Sequence, residues 1–320
     1  MLKWGRQRPR RFVYAVGLYT LGYNLFDLLY PAVAQNLRDS YDLKQRYGEQ
    51  SWVVVSGATN QLGREFVRHF TAKGLHVVMI DQSEEELQKV KEEAAKGSAS
   101  PDVKIEGIVF DLKGNNKWQQ YEALREQIRK ITEEQDISIL VNNAEEVDPF
   151  GPKIHKAKDE DVLGTLTINT YPMVFITRFL GPDMKSRKTH KSAIINMTSY
   201  YSEFHLSSAP VYSSTKAFED VFSQILGYEN QDMDVLTVKN MPYKTQKQPN
   251  GVEAGQIVEG VMKDLGRERV SYGHWTHSVG RYWILFRQCQ WWFRPAGGMT
   301  GPVNGSCGAN GCPFSKLKFW

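Results

Sequence analysis

Tyr212 and Lys216 stand four residues apart, and Ser199 precedes the tyrosine by thirteen positions, in Ser199-Tyr-Tyr-Ser-Glu-Phe-His-Leu-Ser-Ser-Ala-Pro-Val-Tyr212-Ser-Ser-Thr-Lys216. On a helix, positions i and i+4 share a face, so the phenol and the ammonium project together. A nearby cation favours phenolate, which is expected to draw the tyrosine down from its usual value of about 10. A phenol tuned in that way exchanges a proton with a carbonyl or alcohol oxygen. The Ser199 hydroxyl, arriving from a preceding strand end, can hydrogen-bond the same oxygen.

These side chains need a scaffold, and the hydrophobic pattern supplies one. From Ser51 the chain alternates strand and helix. Strands are expected at Trp52 to Val55, His76 to Ile80, Val103 to Phe110, Ile137 to Asn142, Ala193 to Thr198 and Asp234 to Val238. Helices are expected at Leu62 to Lys73, Glu84 to Ala95, Trp118 to Gln135, around Thr165 to Leu180, and over Tyr212. Elements alternating in this way predict a Rossmann-type α/β fold, a doubly wound parallel sheet.

Ser56-Gly-Ala-Thr-Asn60-Gln61-Leu-Gly63 joins the first strand to the first helix of this series. A glycine-rich turn there lets backbone N–H groups and a helix N-terminus approach a pyrophosphate. Asp81 ends the second strand, where an acid can accept hydrogen bonds from an adenosine ribose and repel a 2′-phosphate. With uncharged Gln82 beside it, NAD is favoured over NADP.

With these motifs the chain resembles the short-chain dehydrogenase/reductase family, whose turn reads T-G-x-x-x-G-x-G. Gly57 and Gly63 match, whereas Gln61 replaces the middle glycine and could crowd a dinucleotide. Asn142-Asn143-Ala144-Glu145 matches the family's N-N-A-G, with Glu145 in the glycine's place. Asp111 matches the aspartate that contacts adenine; capping a helix N-terminus is its structural alternative. Asn169, in Thr167-Ile-Asn169-Thr, completes the family tetrad with Ser199, Tyr212 and Lys216, and there it would hold a water in a proton relay. Thr245 matches a threonine that often touches the nicotinamide amide, although the usual preceding proline is Asn240. The resemblance therefore implies catalytic Asn169, Ser199, Tyr212 and Lys216. It also implies a cofactor set of Gly57, Asn60, Gln61, Gly63, Asp81, Asp111, Asn143, Lys216 and Thr245. Tyr41 to Gly48 and Tyr272 to His277 look like the hydroxysteroid dehydrogenase and very-long-chain 3-oxoacyl-CoA reductase branch. Its members are membrane-bound and act on lipid-like ketones and alcohols.

The flanks divide the chain into an N-terminal extension (1–41), a dehydrogenase domain (42–273) and a C-terminal extension (274–320). Residues 1–11 carry Lys3, Arg6, Arg8, Arg10 and Arg11 and no acid, like a mitochondrial presequence, here expected to be retained. The uncharged run Phe12 to Phe26 is short of the roughly 20 residues of a spanning helix, and Asp27 follows it. An interfacial membrane helix is expected, with a buried packing helix as the alternative. Aromatics and arginines mix from Trp275 to Phe293, which suits a membrane surface or a partner. The Gly-rich tail beyond Pro295 would be disordered alone, so protein partners in a larger assembly are expected to hold it. The closing Lys316-Leu-Lys318-Phe-Trp320 loosely fits a dilysine retrieval pattern.

A 41% apolar and 24% charged composition is that of a globular protein, and a net charge of +4 gives no sign of nucleic-acid binding. Three cysteines, Cys289, Cys307 and Cys312, form no disulfide framework, and the histidines lack ligand spacing, so no metal is expected. Two functions follow. One is an NAD-dependent oxidoreductase on a lipid-like ketone or alcohol. The other is a catalytically idle subunit of a large membrane complex, with no cofactor or small-molecule substrate bound. The membrane expected is the mitochondrial inner membrane, with the endoplasmic reticulum as the alternative.

Overall fold

In a computed structural model, residues 7–133, 136–146, 154–203, 209–245 and 251–282 are described. They fall into two units, Ser40–His274 and a second made of residues 7–39 with 275–282. The aromatic/Arg segment past residue 282, all three cysteines, the Gly-rich tail and the Lys316 motif lie outside the described residues.

The second unit is built on α1 (Gln7–Leu37), a helix of 31 residues. The uncharged run is only part of it, because the helix continues through Asp27 and Pro31. Arg11–Leu37 has mean hydropathy 1.2 over its best window, none of which is buried. The expectation that the run is too short to span is therefore corrected: by length and composition this helix can cross a membrane. A buried packing helix is not what folds here. The acid that argued against spanning is paired: the Asp27 carboxylate accepts the Tyr282 hydroxyl, and Arg281 lies 3.8 Å away.

The first unit begins with the short α2 (Leu43–Tyr47), capped by Asp42. There follow β1 (Trp52–Ser56), α3 (Gln61–Ala72), β2 (His76–Asp81), α4 (Glu84–Lys96) and β3 (Ile105–Val109). Next come α5 (Trp118–Thr132), β4 (Ile137–Asn142), α6 (Asp159–Lys185) and β5 (Ala193–Ser199). The unit closes with α7 (Pro210–Glu229), β6 (Asp234–Asn240), α8 (Ala254–Asp264) and β7 (Val270–Ser271).

All seven strands are parallel, in the order β3-β2-β1-β4-β5-β6-β7. Helices cover both faces, so β1, β4 and β5 are buried along their whole length and read as continuous apolar runs. Val53 and Val55 face one core layer with Phe66, Val77 and Ile257. Trp52 and Val54 face the other, with Tyr121, Leu140 and Ile176. The strand order reverses between β1 and β4, and in such sheets the crevice beyond the strand ends at that point is where ligands bind.

Buried polar residues set the register of the helix that carries Tyr212. Asn142 on β4 donates to Asn196 on β5 and to Thr177 on α6. Asn196 in turn donates to Ser223 on α7, which also accepts from Thr237 on β6. Buried hydrogen bonds linking β4, β5, β6, α6 and α7 favour one arrangement of α7 against the sheet, although Asn142 Oδ1 takes no bond in it.

Candidate active site

Residues from separate strand ends meet at the switch point. Gly57 follows β1 with φ +65°, and a Cβ there would lie 2.7 Å from the Ala144 Cα. At Gly63 a Cβ would lie 2.2 Å from the Gly57 carbonyl oxygen. Both glycines are therefore demanded by backbone packing. Asn60 caps α3, accepting the Gly63 N–H at 2.8 Å. Asn143 fastens the turn to the end of β4, donating to the Gly57 carbonyl (2.9 Å) and to Asn60 (3.1 Å). Gln61 opens α3 with an exposed side chain. The Asp81 carboxylate holds the turn as well: Oδ2 accepts from the Thr59 N–H and hydroxyl, and Oδ1 from the Gln82 N–H.

Asp111 does not cap a helix, contrary to the structural alternative above. Its Oδ1 accepts the N–H groups of Lys113 and Gly114 and closes a turn ahead of α5. Thr245 is exposed beside residues 246–250, which lie outside the described ones.

The structure brings Asn169, Ser199, Tyr212 and Lys216 into one buried group. Its charge balance differs from the sequence expectation. Lys216 is fully buried, and its Nζ lies 2.8 Å from Glu145 Oε2 and 2.9 Å from Glu219 Oε2. The Tyr212 hydroxyl donates to the same Glu145 oxygen at 3.2 Å. Asn169 accepts the Glu146 N–H (2.9 Å) and donates to the Glu146 carbonyl (3.2 Å) and to Thr215 (3.0 Å). Each polar atom of that amide thus has a protein partner already.

Tyr212 is accordingly raised well above the ordinary tyrosine value, through burial first and the Glu145 carboxylate second; a Ser199 hydrogen bond opposes them. The expected lowering by Lys216 is corrected. Glu145 offsets the ammonium, and what the phenol feels is the acid beside it. Lys216 itself is raised, its carboxylate neighbours outweighing burial, so it stays cationic. Glu219, fully buried on the same helix, is pushed up to about 8, mainly by burial.

Sequence reading noted Glu145 as an irregularity without its partner and overlooked Glu219. The signal for Glu219 was available: it follows Lys216 at i+3, so the two share a helix face. Tyr243 was also overlooked. It is raised to about 12, by burial first and by the Glu145 charge second.

The short chain dehydrogenase family model matches residues 51–250. The chain belongs to the short-chain dehydrogenase family. Over 231 residues it is 27% identical to a very-long-chain 3-oxoacyl-CoA reductase of Mycosarcoma maydis, covering 70% of this chain and 63% of that one. Over 250 residues it is 25% identical to inactive hydroxysteroid dehydrogenase-like protein 1 of Homo sapiens, covering 74% and 72%. L-sorbose reductase from Gluconobacter frateurii, solved with NADPH and L-sorbose, shares the fold at TM-score 0.60 and 18% identity, with 70% and 94% covered.

A short chain dehydrogenase from Shigella flexneri was solved with NADP and the L-sorbose reductase with NADPH; the two ends of such a dinucleotide would meet different surroundings here. At the pyrophosphate end the turn and the α3 N-terminus are present, but the N–H groups of Gly57, Ala58, Thr59 and Gly63 already have protein acceptors in Ile80, Asp81 and Asn60. The residues present do not fit the nicotinamide end. In the tetrad Lys216 and Tyr212 are the groups that would receive it with the substrate oxygen, and both hold Glu145 instead.

Proposed function

We propose that this chain is a membrane-anchored short-chain dehydrogenase whose hydride-transfer chemistry is idle and whose fold serves as a structural subunit. The contact of Glu145 with both Lys216 and Tyr212 carries this reading. A phenol raised well above its ordinary value and donating to Glu145 gives its proton to a ketone oxygen poorly, and an ammonium held by neighbouring acids is a weak electrostatic aid to it. Similarity to a protein whose name calls it inactive agrees. The apolar α1 supports an anchor, and the Arg-rich start supports the mitochondrial inner membrane as its place. Protein partners would then be the neighbours in a membrane assembly.

The second reading is an oxidoreductase acting on a lipid-like ketone or alcohol. The assembled Ser199, Tyr212 and Lys216 favour it, as does similarity to a very-long-chain 3-oxoacyl-CoA reductase. On that reading Asp81 favours NAD over NADP. The purified full chain, incubated with NADH or NADPH and a panel of long-chain ketones, separates the two. The idle reading expects no hydride transfer above that of Tyr212→Phe. Turnover that disappears in Tyr212→Phe overturns it.

A further inference from the structure

The acid at the switch point is not a loose surface group. On its N-terminal side Asn143 is fastened to Gly57 and Asn60. Ala144 packs so closely on Gly57 that no Cβ fits between them. On its C-terminal side, the Glu146 N–H and carbonyl are both bonded to the Asn169 amide. The backbone flanking Glu145 is thus gripped from both sides, and the side chain is aimed at Lys216 and Tyr212.

Its carboxylate forms an ion pair with the Lys216 ammonium at 2.8 Å and accepts the phenol hydrogen of Tyr212, and its side chain is only 19% exposed. A hydrogen bond to a carboxylate is stronger than one to a neutral acceptor, and the ion pair adds to it.

We infer that Glu145 is a built-in ligand of the site. It occupies the contacts through which Lys216 and Tyr212 would hold a nicotinamide riboside and a carbonyl oxygen, and so a single side chain excludes the nicotinamide cofactor. The inference deepens the idle reading and rests on it: it names the group responsible and makes the exclusion reversible. The glycine turn and the side chains of Ser199, Tyr212 and Lys216 remain in place around that one residue.

The test uses the full chain and NADH alone, followed by energy transfer from tryptophan to the bound nicotinamide. Glu145→Gly should bind NADH at least about tenfold more tightly than the native chain, the change that loss of one charge-assisted hydrogen bond corresponds to. Glu145→Gln keeps the backbone and the volume while removing the charge. It should also gain affinity, and its Tyr212 phenol should ionise at lower pH than in the native chain, read by ultraviolet absorbance. Circular dichroism establishes which variants are folded. The inference fails if the native chain binds NADH as tightly as the variants, or if a folded variant gains nothing. It fails equally if the difference between the native and Tyr212→Phe titrations shows Tyr212 ionising at the ordinary tyrosine value. Failure of the idle reading is a separate result: hydride transfer by the native chain.

Discussion

At the scale of single residues, the site is governed by how many acids share one ammonium. Lys216 faces two carboxylates, and Glu219 is the more deeply buried of them. Glu219 Oε1 accepts from Lys216 at 3.2 Å, while Oε2 lies close to Nζ without a hydrogen bond. Burial therefore prevails over the cation, and Glu219 is pushed from 4.5 up to about 8. An acid raised in this way binds its proton more tightly folded than unfolded. Between those two values the native chain holds the extra proton, so stability falls as pH rises from about 4.5 through about 8. Glu219→Gln cannot ionise and preserves the shape, so it should flatten that decline. Urea midpoints at a series of pH values measure it. An equal decline in native and variant chains would show that Glu219 is not its source.

At the scale of elements, the glycine turn joins β1 to α3 by backbone contact, and substitutions there should follow space rather than propensity. A methyl group at Gly63 would meet the Gly57 carbonyl oxygen, whereas at Gly227 on α7 it would find ordinary contact with Val235 at 3.5 Å. Gly63→Ala is expected to cost about 1–3 kcal/mol or more, since backbone cannot move aside as a side chain can. Gly227→Ala should be neutral or stabilising by up to about 1 kcal/mol, from helix propensity. Denaturant melts of the two variants test the contrast. Of the elements themselves, β1, β2, β4 and β5 were legible because strands buried on both faces print continuous apolar runs. α6 began earlier and ended later than its apolar centre suggested, since the polar Asp159-Glu160-Asp161 turn suits a helix start without showing apolar periodicity. β7 has two residues and α2 five, too few for any period to register. α8 was overlooked although Ile257, Val258, Val261 and Met262 form a helical stripe against the core. The spacing of Ser199, Tyr212 and Lys216 pointed to a shared site, whereas Asn169 came only from the family resemblance. The electrostatics of that site were not legible, because the effect of Glu145 on Tyr212 depends on the segment after β4 meeting α7, and no local pattern encodes that distance.

At the scale of the whole chain, the question is what the apolar α1 does, and composition and pairing give one answer. A helix from Arg11 to Leu37 with no buried residue in its apolar window leaves Phe12, Tyr19, Leu21 and Phe26 facing outward. Exposing such a surface to water is costly at roughly 25 cal/mol per Å² of apolar area, whereas lipid accepts it without penalty. An unpaired acid within it would oppose insertion by about 3 kcal/mol at a helix centre. Asp27 is not left unpaired, since it accepts the Tyr282 hydroxyl and lies beside Arg281. Neutralising a charge by partners is how ionisable groups persist at membrane depth. The full chain should therefore float with phospholipid vesicles in a density gradient and resist extraction by carbonate, as an inserted helix does. A chain starting at Ser40 should lose carbonate-resistant binding. Tyr282→Phe, which removes one partner of Asp27 and leaves the apolar surface intact, should weaken insertion without abolishing it. If the full chain is released by carbonate as readily as the chain starting at Ser40, α1 does not insert, and its apolar surface must be covered by protein instead.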